Sequence, residues 1–115
     1  MEPEIRNLAL EKQLCGAIQR HRVVRLKYAD DPLWRTFQPQ AVYESTVGHI
    51  NVTGIQTRND ADLMQTEPEP RNFELARIVA VEVTDEEFDF DPAFDASEER
   101  FAQGLICLIH PLKLD

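Results

Sequence analysis

Leu10, Leu14, Ala17 and Ile18 recur at spacings of three and four, and this apolar stripe predicts an amphipathic helix from Glu4 to about Arg20. Glu2 and Glu4 stand at its start and Arg20, His21 and Arg22 at its end, so each sign complements the helix dipole. The period then drops to two. Val24, Leu26 and Tyr28 fall on one face of a strand over Val23–Ala29, and Val23, Arg25 and Lys27 fall on the other. Asp30-Asp31-Pro32 predicts a turn, because aspartate favours turn starts and proline fixes φ while removing an amide donor. Leu33–Glu44 is the expected return strand, with Pro39 at a bulge or an edge because it cannot donate to a ladder. Ser45-Thr46-Val47-Gly48 predicts a second turn and His49–Thr57 a third strand, in which Ile50 and Val52 point one way and Asn51 and Thr53 the other. Gly54 inside that strand marks a bulge or the close approach of another backbone.

Residues 58–70 are polar, acidic and proline-ended with no sustained period, and they read as a long mobile loop. The octet Arg71-Asn72-Phe73-Glu74-Leu75-Ala76-Arg77-Ile78 then puts Phe73 and Leu75 on one face, after which Val79, Val81 and Val83 resume the alternation in a changed phase. That pattern predicts strand, tight break, strand. Thr84–Pro92 is acidic with interleaved aromatics, and Ser97 is placed to cap a short helix containing Glu98, Glu99 and Arg100. The run Leu105–Ile109 is too short for periodicity to separate strand from helix, and Pro111 ends it.

A chain of 115 residues is expected to form one domain that buries roughly two thirds of its extended-chain surface. No window approaches the roughly 18 consecutive apolar residues of a membrane span, and the acidic Met1-Glu2-Pro3-Glu4 start has no apolar leader, so a cytoplasmic location is expected. Cys15 and Cys107 lie far apart in apolar surroundings and are expected as buried free thiols of a reducing compartment. The net charge of −9 is uneven. Residues 1–58 hold 8 Lys/Arg against 6 Asp/Glu, and residues 59–115 hold 4 against 15. An anion-binding surface is therefore local, drawn mainly from the first half together with Arg71 and Arg77.

One helix followed by short strands and turns predicts a mainly β (α+β) fold, a small barrel of about five strands with an N-terminal helix laid on it. Several motifs also resemble the WYL-domain family. They are the run from Ala17 to Tyr28, Pro39 in the second strand, Gly48 opening the third, and the octet Arg71–Ile78 with Glu82 to Phe88 behind it. The similarity spans Leu14 to Phe88, although Ile50-Asn51-Val52 stands where the name-giving Trp-Tyr-Leu would be, and Glu74 and Ala76 replace a common arginine and aspartate. The resemblance implies an SH3-like or Sm-like barrel and a bacterial regulatory role as a sensor of nucleotides or nucleic acid. It divides the single domain into a helix (4–20), a barrel (23–88) with the mobile loop 58–70, and an extension (89–115).

From this reading comes an expected ligand surface of Arg25, Lys27, Asn51, Arg71 and Arg77, facing a small anionic, nucleotide-like molecule. It requires Arg25 and Arg71 to share one side of the barrel. An alternative is a protein-interaction or homo-oligomeric subunit using the acidic and aromatic segment 84–99, and a third is nucleic-acid binding. No catalytic motif stands out, so the chain is expected to be non-enzymatic and without cofactor. His21, His49 and His110 lack a metal-type spacing, and Glu86, Glu87, Asp89, Asp91 and Asp95 lack an EF-hand pattern.

Overall fold

Helix α1, Leu8–Gln19, begins where the Asn7 side chain accepts a hydrogen bond from the Leu10 amide at 3.0 Å, satisfying one of the free donors of the first turn. In this computed structural model, which describes residues 6–62, 64–65, 67–91, 93–102 and 104–111, the helix starts later than its apolar period implied. An asparagine cap decides the start, and Glu4 lies outside the described residues. His21 follows the helix at φ 54°, and its amide still reaches Ile18 O at 3.2 Å. Its buried ring stacks on Phe88 and meets the His110 carbonyl at 2.6 Å, so it ties down the C-terminal segment as well as ending the helix.

Six antiparallel strands follow: β1 (Arg22–Tyr28), β2 (Arg35–Glu44), β3 (Ile50–Asn59), β4 (Glu69–Glu74), β5 (Ile78–Glu87) and β6 (Leu105–Leu108). A single 3-10 turn, Leu75–Arg77, is the break between β4 and β5. The sheet order is β4-β3-β2-β1-β5, and β6 pairs with β2. This is the expected mainly β, barrel-like α+β fold, with six strands rather than about five. The apolar run near the C-terminus becomes β6 because β2 offers it a free edge.

β2 carries the arrangement. Its first residues pair with β1 (Val24↔Phe37) and its last with β6 (Ala41↔Leu108), while β3 runs along the other side throughout. A register shift between Pro39 and Ala41 bends the strand opposite Gly54. A Cβ at Gly54 would run into the Gln38 carbonyl and sit 2.8 Å from the Phe37 ring, so only glycine allows this approach. Leu14 and Ile18 of α1 meet Val24, Leu26, Phe37, Val42 and Val52 in the core, each fully removed from solvent. Each such side chain contributes roughly 1.5–3 kcal/mol relative to exposure. Tyr28 and Phe37 flank Phe73 at 4.8 and 5.1 Å between ring centres, which brings the end of β1 to β4.

The loop expected at 58–70 is shorter. β3 runs to Asn59 and β4 starts at Glu69, and Gln65 bonds both the side chain and the carbonyl of Gln56 at 2.9 Å. The 3-10 turn Glu99–Phe101 has no side-chain cap, since Ser97 donates instead to Asp95.

The expectation of free thiols is corrected: Cys15 and Cys107 form a disulfide with Cα atoms 5.9 Å apart. Spacing along the chain could not reveal that β6 runs antiparallel to β2 with Cys107 beside Val42, under α1. The bridge spans 92 positions, a loop for which chain entropy predicts about 4–5 kcal/mol of stabilisation. Replacing Cys15 and Cys107 together by serine is therefore expected to lower the thermal midpoint by more than about 10 °C in calorimetry, with the wild type in reductant approaching the same value.

Candidate functional site

Cross-strand register assembles a row of side chains on the outer face of the sheet. Glu82 of β5 lies opposite Arg25 of β1, Arg25 opposite Thr36 of β2, and Thr36 opposite Arg58 of β3. Directly opposed residues share a face, with Cβ atoms about 5 Å apart. Arg25 and Lys27 project from this face because Val24 and Leu26, with the opposite phase, are in the core. Continuing the β1–β2 register puts Trp34 across from Lys27. The half-buried indole receives both cations, with the Arg25 guanidinium carbon 5.1 Å and the Lys27 ammonium 4.8 Å from the ring centre. Asp60 completes the cluster. Its amide donates to Trp34 O at 3.0 Å, one carboxylate oxygen stands 3.6 Å from Arg25 and the other 3.0 Å from Arg58. Lys27 has no carboxylate partner among the described residues.

The five residues expected to form one surface are dispersed. Arg25 and Lys27 meet at Trp34. Arg77 stands over the Tyr28 ring at 5.2 Å, at the rim where its carbonyl accepts the Ala29 amide. Asn51 and Arg71 belong to the β3–β4 side. Arg71 is engaged by Glu69 at 2.5 Å, and β2 and β3 lie between its strand and β1, three spacings of about 4.8 Å along the sheet. Asn51 is only 7% exposed, between Tyr43 and Glu74 in register, and its Oδ1 is buried without a hydrogen-bond partner. The Tyr43 hydroxyl donates to Asn72 Oδ1 at 3.0 Å, and Arg100 stands over the Tyr43 ring.

Trp34, Arg58 and Asp60 complete the cluster, and the sequence reading did not single them out. For Trp34 the signal was present: a turn centred on Asp30-Asp31-Pro32 fixes the hairpin register and sets residue 34 across from residue 27. Arg58 and Asp60 gave no such signal, because they fall in a stretch whose composition reads as loop.

The acidic segment has a different use. Phe88 is in the main core, Phe90 and Phe94 pack against it, and Phe94 also meets Phe101 at 5.8 Å. The aromatics point inward while Asp89, Asp95 and Glu99 face solvent. Among the described residues, no three His, Cys, Asp or Glu side chains stand together as metal ligands. A cleft of about 430 Å³ lies between the β2–β3 turn and Glu99-Arg100. Arg6 is held above its ordinary value by the hydrogen bond and charge of Glu11.

No protein-family model matches this chain. No curated protein and no solved structure shows significant similarity to it either. Among the described residues no helix is long and apolar enough to cross a membrane.

Asp95 is held below its ordinary carboxylate value of 3.8 by hydrogen bonds from the Ser97 hydroxyl and amide. A lowered carboxyl contributes stability that is present above the unfolded value and lost as pH falls through the lowered one. Ser97→Ala is expected to bring the Asp95 carboxyl back up in an NMR pH titration, and to leave less stability to be lost on acidification.

Proposed function

We propose that the chain is a non-enzymatic sensing module that binds a small nucleotide-like anion where Arg25 and Lys27 stand over Trp34, with Arg58 joined to them through Asp60. The observation carrying this reading is the pair of cations on one indole, with Lys27 lacking a carboxylate partner among the described residues. A nucleotide-like molecule offers what such a cluster recognises, phosphate oxygens for the cations and a flat ring for the indole. Asp60 is the internal competitor: it pairs with Arg25 and Arg58, and an incoming phosphate replaces it. The resemblance of the octet Arg71–Ile78 and of the run Ala17–Tyr28 to the WYL-domain family gives the same functional class. In this reading the site is narrower than the five residues of the sequence expectation, and Arg71 and Asn51 stand apart from it.

A small ligand is favoured over nucleic acid. Three cations on a chain of net charge −9 give a polyanion little to hold, and with at most three phosphates neutralised the salt slope on duplex DNA is about −3 or shallower. A cytoplasmic setting is part of the proposal, and there the bridge between Cys15 and Cys107 would be open to reduction.

Trp34 is the single tryptophan, so its fluorescence reports directly on the site. Nucleoside mono- and diphosphates and other anionic metabolites are expected to quench it saturably. At about one hundred times the dissociation constant, the ligand stabilises the fold by roughly 2.7 kcal/mol. Arg25→Ala and Lys27→Ala abolish both effects, Asp60→Asn tightens binding several-fold, and Arg71→Ala leaves it unchanged. No quenching by any of these anions, or equal losses in Arg25→Ala and Arg71→Ala, would contradict the assignment.

A further inference from the structure

Among the described residues three strands pair on one side only, β4, β5 and the four-residue β6, and they differ. β4 is six residues long and contains Pro70, which lacks an amide donor. β5 is ten residues long, has no proline and pairs with β1 alone. Its outer edge carries usable backbone groups. Gln13 of α1 donates to Val81 O at 3.4 Å, so this carbonyl faces away from β1, and alternation turns the backbone of Val83 the same way.

Alongside this edge runs a groove of about 230 Å³, walled by Ala9, Leu10 and Gln13 of α1 and by the first residues of β5. Val79 stands at it with its apolar side chain in solvent, at 69% exposure. Further along β5 the exposed residues are Glu82, Asp85, Glu86 and Glu87, answered by Arg22, which reaches Glu87 at 3.6 Å.

We infer that the β5 edge is a docking site for an extended basic segment of a protein partner, added as a seventh strand. Backbone hydrogen bonds to Val81 and Val83 supply affinity that is indifferent to sequence, and side chains supply selectivity. In the antiparallel sense, the partner's lysines and arginines come first, against Glu87 to Glu82, and an apolar residue follows into the groove beside Val79. A second copy of this chain fits poorly. Self-pairing would set the four carboxylates of each β5 against a strand that has no lysine or arginine of its own, between molecules that each carry −9.

The test uses the intact protein labelled with nitrogen-15 and a ten-residue peptide that alternates lysine with threonine and ends in valine and leucine. Binding is expected to shift the amide signals of residues 79–85 and to protect the Val81 and Val83 amides from exchange. N-methylating alternate peptide nitrogens, which removes strand pairing while keeping charge, is expected to weaken binding roughly tenfold. Glu82→Lys with Glu86→Lys is expected to abolish it, and Gln13→Ala, which frees Val81 O, to tighten it. Absence of binding, equal binding of the N-methylated peptide, or a dimer whose Val81 and Val83 amides are already protected without peptide would each overturn the inference, the last by assigning the edge to a second copy.

Discussion

Everything in this fold hangs on the bend of β2. A strand that ran straight could keep one neighbour on each side. The register shift at Pro39 and Ala41 lets β2 leave β1 after Phe37 and accept β6 from Ala41, while β3 follows the whole curve. Gly54 makes this possible because its missing side chain leaves room for the Gln38 backbone and the Phe37 ring. Proline on the bent strand costs little where the ladder is already interrupted. The curvature encloses Phe37, Val42 and Val52 beneath α1 and sends Arg25, Thr36 and Arg58 to the outer face as a single row.

The elements visible in the sequence were those set by local chemistry. The alternation from Val23 to Tyr28, the turn at Asp30-Asp31-Pro32, the Gly54 approach and the break before Ile78 all follow from neighbouring residues, and the structure has each of them. What could not be read there depends on partners distant in the chain. Leu105–Leu108 becomes a strand because β2 has a vacant edge some sixty residues earlier, and Cys107 finds Cys15 only after β6 lies under α1. The candidate site divides the same way. Arg25 and Lys27 are evident from the alternation of β1, whereas Arg58 and Asp60 join them through the late extension of β3, in a stretch whose composition resembles a loop.

Charge is segregated as well as unbalanced. Most carboxylates of the second half lie on β5 and the segment beyond it, with Phe88 anchored in the core and Phe90 and Phe94 packed against it. Two cations of the first half, Arg25 and Lys27 on β1, meet over Trp34. Asp60 prevents that cluster from being a bare positive patch, and in the proposed reading an anion would bind by exchange for its carboxylate. A net charge of −9 repels long polyanions, and the proposed ligand is accordingly a small one.

The dependence of both sheet halves on one bend is most directly tested by hydrogen exchange on Gly54→Ala, read together with Trp34 emission. If the bend organises the fold, the added methyl costs roughly 1–3 kcal/mol or more. The amides shared by β1 and β2 and those shared by β2 and β6 then lose protection together, and the Trp34 spectrum shifts toward that of a solvated indole. Unchanged protection on both sides of Pro39, with an unchanged Trp34 spectrum, would contradict the account.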